Sequence, residues 1–331
     1  MPAAHLPDFV VDPVLEADLT TGLDLVEKSL RDAVRSDYPF VTEASRHLVD
    51  AGGKRFRPLL VLLAAQFGDP GAPGVIPAAV VVELTHLATL YHDDVMDEAT
   101  LRRGAASANA RWDNTVAILT GDFLFARASD ILADLGPEAV RIQAQTFERL
   151  CTGQIRETVG PEGDFAAVDH HLRVLADKTG SLIATSGRFG AMMAGADPET
   201  VRTMTSFGEA IGVAFQLADD IVDITSDANE SGKTPGTDLR EGVPTLSMLY
   251  ALDGTDASSA RLRELLGRPL PEEPEHAEAL ALLRAHPALE SARDEARRWS
   301  ALARNELDAL PDIPARKALE GLCDYVVNRT G

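Results

Sequence analysis

Carboxylates occur in this chain as two matched triplets. Asp93, Asp94 and Asp97 read DDVMD, and Asp219, Asp220 and Asp223, 126 positions later, read DDIVD. Residues four apart share a helix face, so Asp93 and Asp97 point the same way. The repulsion costs about a few tenths of a kcal/mol on an exposed helix and more once desolvated. A hard divalent cation offsets it, and Mg²⁺ typically takes one or two carboxylates and completes its shell with substrate phosphates. An ordinary solvated acidic face would not follow VVVELTHLATLY in one case and EAIGVAFQLA in the other, since both stretches belong in a core. Two such helices side by side open a carboxylate-lined mouth above an apolar interior.

Cations stand near both triplets. GGKRFRP at 52–58 places Lys54, Arg55 and Arg57 after Gly52 and Gly53, whose permissive backbone ends a helix and lets an anion approach. Arg102 and Arg103 follow the first triplet, Lys178 lies in DKTGS, and Lys233 in SGKTPGTDL. Arginine forks suit diphosphate oxygens in bidentate fashion. His92, next to Asp93, reads as a packing or hydrogen-bonding residue.

The rest of the sequence must hold these groups in place. With 331 residues, 45% of them hydrophobic, the chain buries a real core, and we expect one domain over 1–331. The formal charge of −21 argues against nucleic acid as a partner, so any anionic substrate needs a local basic pocket or a bridging cation. Cys151 and Cys323 suggest neither a disulfide framework nor a zinc site, and a reducing cytoplasm fits. The N-terminus lacks signal-peptide regions, and apolar runs such as LLVLLAA read as too short to span a bilayer. Long proline-free stretches rich in Ala, Leu and Glu, punctuated by prolines, predict an all-α fold of about ten or more helices with no sheet.

Six ordered motifs between about 50 and 245 make the chain resemble the trans-isoprenyl diphosphate (polyprenyl) synthases. They are GGKRxRP, His86 seven residues before Asp93, DDxxD followed by RRG, the Lys178-Thr179 pair, FQxxDD, and GKxxGxDL; the tail CDYVVNRTG is similar too. The resemblance implies the class I isoprenoid synthase fold, antiparallel helices around a deep central cavity, usually as a homodimer. It implies that Asp93, Asp97 and Asp219 coordinate Mg²⁺ bridging an allylic diphosphate, with Asp94, Asp220 and Asp223 completing or supporting the clusters. Arg102, Lys178, Gln216 and Lys233, with Thr179 beside them, would face the allylic diphosphate; Lys54, Arg57, His86 and Arg103 would face isopentenyl diphosphate. Asp93, Asp97, Asp219, Lys178 and Arg102 would carry the catalysis. One departure is Val243, where many members have lysine five residues after the aspartate of GxDL.

Chain length is read back along the helix from Asp93. Thr89, Thr85 and Val82 lie on one stripe with Ala88 beside them, and none is aromatic. In this family a bulky residue there stops growth, so small ones imply a long product. Eleven residues of helix span roughly 16 Å, room for several isoprene units. The expected product is all-trans C30 to C50, as for a quinone side chain, unless Phe125, Phe189 or Met192 forms a floor. SLIATSGRFGAMMAGA either lines the opposite wall or serves close helix packing. Alternatives are a geranylgeranyl diphosphate synthase, a class I terpene cyclase and a non-catalytic subunit of a heteromeric synthase. A cyclase would need more than 5% aromatics and usually a mixed second metal motif, and a silent subunit would have lost aspartates.

Overall fold

Proline marks where many of the helices begin. In a computed structural model of the chain, α1 (Pro13–Ala33), α2 (Pro39–Asp50), α7 (Pro137–Val159) and α10 (Pro198–Thr225) all start on it. A first-turn N–H has no intrahelical partner, so proline loses nothing there and its fixed φ is already helical. The structure describes residues 6–161, 166–226, 235–255, 257–266, 268–271 and 273–328. Between these lie α3 (Phe56–Ala65), α4 (Val75–Met96), α5 (Ala108–Arg111), α6 (Asn114–Leu135), α8 (Ala167–Leu175) and α9 (Ser181–Met193). Toward the C-terminus follow α11 (Thr237–Glu241), α12 (Leu246–Asp253), α13 (Ala257–Leu265), α14 (Glu275–Ala285), α15 (Pro287–Glu306) and α16 (Pro314–Asn328). Among the described residues, β structure is confined to a two-residue antiparallel ladder, Leu101–Arg102 with Ala105–Ala106, which the expectation of no sheet had not included.

The chain divides into two compact units that interleave along the sequence. The first comprises Met1–Phe147, Leu182–Thr205 and Ala309–Leu319; the second comprises Glu148–Ser181, Ser206–Asp308 and Glu320–Gly331.

In the first unit α4 is the central helix, packed by α1, α3 and α6. It is apolar over most of its surface because most of it is buried, with Ala79, Val81, Leu84 and Leu87 wholly inaccessible. Truncating either leucine to alanine would cost about 2–5 kcal/mol. By length and composition α4 could cross a membrane, contrary to the reading that apolar runs are too short, yet it is mostly buried within the protein. Asp12 and Asp113 cap α1 and α6, accepting backbone N–H bonds from the first turn. Tyr91, fully buried on α4, donates to the Ala44 carbonyl at 2.6 Å and accepts from Leu48 N–H at 3.2 Å, which ties α4 to α2.

The small residues of SLIATSGRFGAMMAGA serve close packing. A Cβ on Gly190 would lie 2.2 Å from the Val61 carbonyl oxygen of α3, and one on Gly187 would lie 2.5 Å from that of Met204. Only hydrogen fits between these backbones.

The second unit builds its core from the C-terminal part of α10 with α8 and α12 to α15; Val213, Leu217, Ile221, Leu246, Leu283 and Ala292 are among its buried residues. Between α8 and α9 the helix widens into one π turn, Ala176–Gly180. Such turns insert a residue and re-aim the side chains around it. This one carries Lys178 and Thr179.

Candidate active site

In the first unit a basic group surrounds His86. Arg55 turns inward to Glu83 (2.8 Å), Glu27 (2.5 Å) and the Val49 carbonyl (2.9 Å), so it is a structural residue. Arg103 binds the Leu48 carbonyl at 3.2 Å and also that of Gly52, and Gly53 permits this, because a Cβ there would sit 2.9 Å from the guanidinium. Arg57 is different: its Nε is buried with no hydrogen-bond partner. Burial, opposed by Glu83 and aided by Arg103, lowers its pKa to about 10. His86 is held neutral, far below its usual range, by burial and then by Arg57, Arg103, Arg55 and Arg102. A neutral imidazole amid guanidinium groups and an orphaned donor suit an anion.

The first aspartate triplet closes α4. Asp94 is fully buried, accepts from Arg102 Nε at 2.5 Å, and leaves its other oxygen without a partner. Arg102 also reaches Asp97 at 3.5 Å. Glu98 and Arg103 hold positive φ, 49° and 53°, so the loop after the triplet is strained in the way functional turns often are. His92 lies against the Ile118 carbonyl (3.1 Å), Asp122 (3.4 Å) and the Phe125 ring, which fits packing and hydrogen bonding.

The expected stripe lies on α4 as anticipated. Val82, Thr85 and Ala88 are fully buried, and Gln143 donates to the Thr85 hydroxyl at 2.8 Å. Thr89 is half-buried, its hydroxyl turned to the His86 carbonyl. The Phe125 and Phe147 rings meet at a tilt of 55° with centroids 4.4 Å apart; Phe189 is fully buried and Met192 half-buried.

The second unit gathers the other cluster. Thr179 donates to Gln216 at 3.1 Å, and Gln216 donates to Asp220 at 2.9 Å. Lys178 Nζ pairs with Glu157 at 2.5 Å. Asp177 fixes the π turn by accepting from Arg149 at 2.9 Å and from Arg156, while Arg149 also grips Glu209. Burial, then Asp219, Asp223 and Glu157, pushes Asp220 up to about 7 against the Gln216 bond. Burial with Asp220, Asp223, Glu241 and Glu157 pushes Asp238 up to about 8. Val243, whose N–H caps α11 on the Asp238 carbonyl, brings no charge to this crowd. His171, 3.9 Å from Asp220, is driven by burial to about 4 and stays neutral.

Lys233 lies outside the described residues. Glu157, Asp177 and Asp238 were not singled out from sequence, although Asp177 opens DKTGS and Asp238 lies in SGKTPGTDL. Among the described residues no three acidic, His or Cys side chains converge on one point as a closed metal site. The donor chemistry nevertheless fits a divalent cation: hard oxygens, carboxylates crowded enough to hold Asp220 up at about 7, and an orphaned oxygen on Asp94. A diphosphate would supply the remaining ligands.

Residues 38–283 match the polyprenyl synthetase family. The chain is 51% identical over 321 residues to a nonaprenyl diphosphate synthase of Mycobacterium tuberculosis, covering 97% of this chain and 96% of that one. It resembles a geranylgeranyl pyrophosphate synthase from Corynebacterium glutamicum solved with calcium and isoprenyl diphosphate (TM-score 0.88, 48% identity, 97% and 99% of the two chains). A decaprenyl diphosphate synthase from Rhodobacter capsulatus is also similar (TM-score 0.87, 34% identity, 96% and 98% covered). The expected all-α class I isoprenoid synthase fold is the one shared with these structures. With its ordered motifs placed on that fold, the chain belongs to the polyprenyl synthetase family of prenyltransferases.

Proposed function

We propose that the chain condenses isopentenyl diphosphate head to tail onto an allylic diphosphate, with Mg²⁺, to give an all-trans polyprenyl diphosphate of C30 to C50, such as a quinone side chain requires. The observation that carries this reading is an unmet buried donor in the first unit and a crowd of carboxylates in the second. Arg57 Nε is buried without a hydrogen-bond partner, and burial with Asp219, Asp223 and Glu157 holds Asp220 up at about 7. Anionic substrate and divalent cation are what such groups lack. The family match and the long-chain relatives support the same reading.

Asp93, Asp97 and Asp219 would hold the cations, with Asp94, Asp220 and Asp223 supporting them. Bound there, divalent ions stabilise negative charge on the departing diphosphate. Arg102 and Lys178 add fixed positive charge as the allylic carbon–oxygen bond breaks. Thr179, Gln216 and Lys233 orient that diphosphate. Lys54, Arg57, Arg103 and neutral His86 hold isopentenyl diphosphate so that its double bond attacks the allylic carbon. A carbon–carbon bond forms, and a proton passes to the released diphosphate. Apolar α4 and its neighbours exclude the water that would quench the cation.

In this reading the chain acts as one prenyltransferase domain, and two copies form a homodimer. Ile118 and Leu119 on α6, 43% and 60% exposed, support a covering partner. The unpaired thiols Cys151 and Cys323 suit the cytoplasm.

The test is incubation with labelled isopentenyl diphosphate, Mg²⁺ and dimethylallyl, geranyl or farnesyl diphosphate, followed by sizing of the dephosphorylated products. C30 to C50 products are expected. A series ending at C20 would favour the geranylgeranyl alternative, which the Corynebacterium relative makes specific; no transfer would overturn the proposal.

A further inference from the structure

The peptide group joining Gly236 to Thr237 is gripped at both ends. Its carbonyl accepts from Nε2 of His276 at 2.9 Å, and its N–H donates to Asp223 Oδ1 at 3.1 Å. A trans peptide is planar, with C=O and N–H pointing in opposite directions, so a bond that fixes one end aims the other. The next amide, of Asp238, donates to Asp223 Oδ2 at 3.2 Å, and Gly236 N–H donates to the Asp223 backbone carbonyl at 2.8 Å. Both carboxylate oxygens of Asp223 are thereby engaged by the start of α11.

His276 is well placed to be the fixed end. It is 2% exposed at the start of α14, beyond the last of the synthase motifs. With Nε2 donating to Gly236, Nδ1 lies 3.3 Å from Arg240 and 3.3 Å from Glu273. Arg240 is itself held by Glu273 at 2.7 Å and the Pro271 carbonyl at 3.0 Å. Leu270 N–H adds a bond to the Leu239 carbonyl at 3.0 Å. Position 236 tolerates this approach only as glycine: φ is 74°, and a Cβ would lie 2.7 Å from His276 Nε2.

We propose that His276 is a positioning residue of the second aspartate cluster: through the Gly236–Thr237 peptide it aims an amide at Asp223, commits that carboxylate to the loop, and so sets the form in which the cluster meets a cation. It touches neither substrate nor metal. The role rests on the function proposed above.

Amide hydrogen exchange in the metal-free full chain, together with the Mg²⁺ dependence of prenyl transfer, tests it. His276→Ala should speed exchange at Thr237 about five- to tenfold, the worth of one hydrogen bond. The Mg²⁺ needed for half-maximal rate should rise by a similar factor, while kcat at saturating Mg²⁺ moves little. His276→Gln should restore both, because its carboxamide N–H can donate to Gly236. His276→Met, which keeps bulk without a donor, decides the matter if the alanine variant does not fold. A folded donor-less variant with wild-type exchange at Thr237 would overturn the role, as would a glutamine variant that exchanges as fast as alanine. Exchange is read without turnover, so an inactive wild type would sink the proposed function and leave this result standing.

Discussion

Arg102 Nε sits 2.5 Å from Oδ1 of Asp94, the middle carboxylate of the first triplet, and the aspartate is fully buried. The pair fastens the strained loop 98–104 to the end of α4. Losing one partner of a wholly buried pair costs about 3–5 kcal/mol because a charge is left uncompensated. Arg102 is 27% exposed, so water relieves part of that cost. Arg102→Ala should therefore lower stability in urea by about 2 kcal/mol. Adding Asp94→Asn should recover part of the loss, whereas a double variant weaker than the single would show that the pair is not what matters.

Asp220 gives a pH dependence with a definite sign. Burial and three neighbouring carboxylates raise it to about 7 in the folded chain, against about 3.9 when unfolded. The folded state thus binds the proton more tightly, and the stability this group contributes is complete below about pH 4 and lost as pH rises through about 7. In metal-free protein, Asp220→Asn should gain Tm relative to wild type across that window and level off above about pH 8. Thermal melts at several pH values check this, and a difference that stays flat with pH would contradict it.

Gly190→Ala sets two effects against each other. Alanine favours a helix interior by about 1 kcal/mol, while overpacking costs about 1–3 kcal/mol or more. Here the obstacle is the Val61 carbonyl, 2.2 Å from the added carbon, and backbone cannot rotate aside. Net destabilisation of about 2 kcal/mol is expected by chemical denaturation, from the upper end of the overpacking range. A neutral or stabilised variant would mean that α9 and α3 pack less closely.

Thr89→Phe should shorten the product. Of the four stripe residues, Val82, Thr85 and Ala88 are sealed, and Thr89 alone keeps accessible surface. A ring there would block hydrocarbon growing along α4, and product sizing should show a shift to shorter chains. An unchanged distribution would put the floor elsewhere, with the Phe125–Phe147 pair the next place to substitute.

Much of this was legible locally. Prolines 13, 39, 137 and 198 begin helices as their fixed φ requires, and the aspartate triplets end long apolar helices because carboxylates and core alternate there along the chain. What stayed hidden was created by packing. Glu157 meets Lys178 from 21 positions upstream, and Arg149 reaches Asp177 across 28. No spacing rule joins such pairs before α7 lies along the π turn. The two readings of SLIATSGRFGAMMAGA could be separated only by the backbone oxygens facing Gly187 and Gly190. Gln143 on Thr85 is likewise a tertiary bond. Asp223, read as a metal-supporting residue, proves to be occupied by two backbone amides from a segment 14 and 15 positions away.

The central claim of the proposed function is that both triplets serve one reaction. Turnover of Asp93→Ala, Asp219→Ala and the double variant, each at saturating Mg²⁺, tests it most directly. Groups that work as a unit are grossly non-additive, so each single change should cost about a thousandfold or more and the double little beyond either. Single variants that keep near wild-type turnover, or losses that simply multiply in the double, would contradict the account.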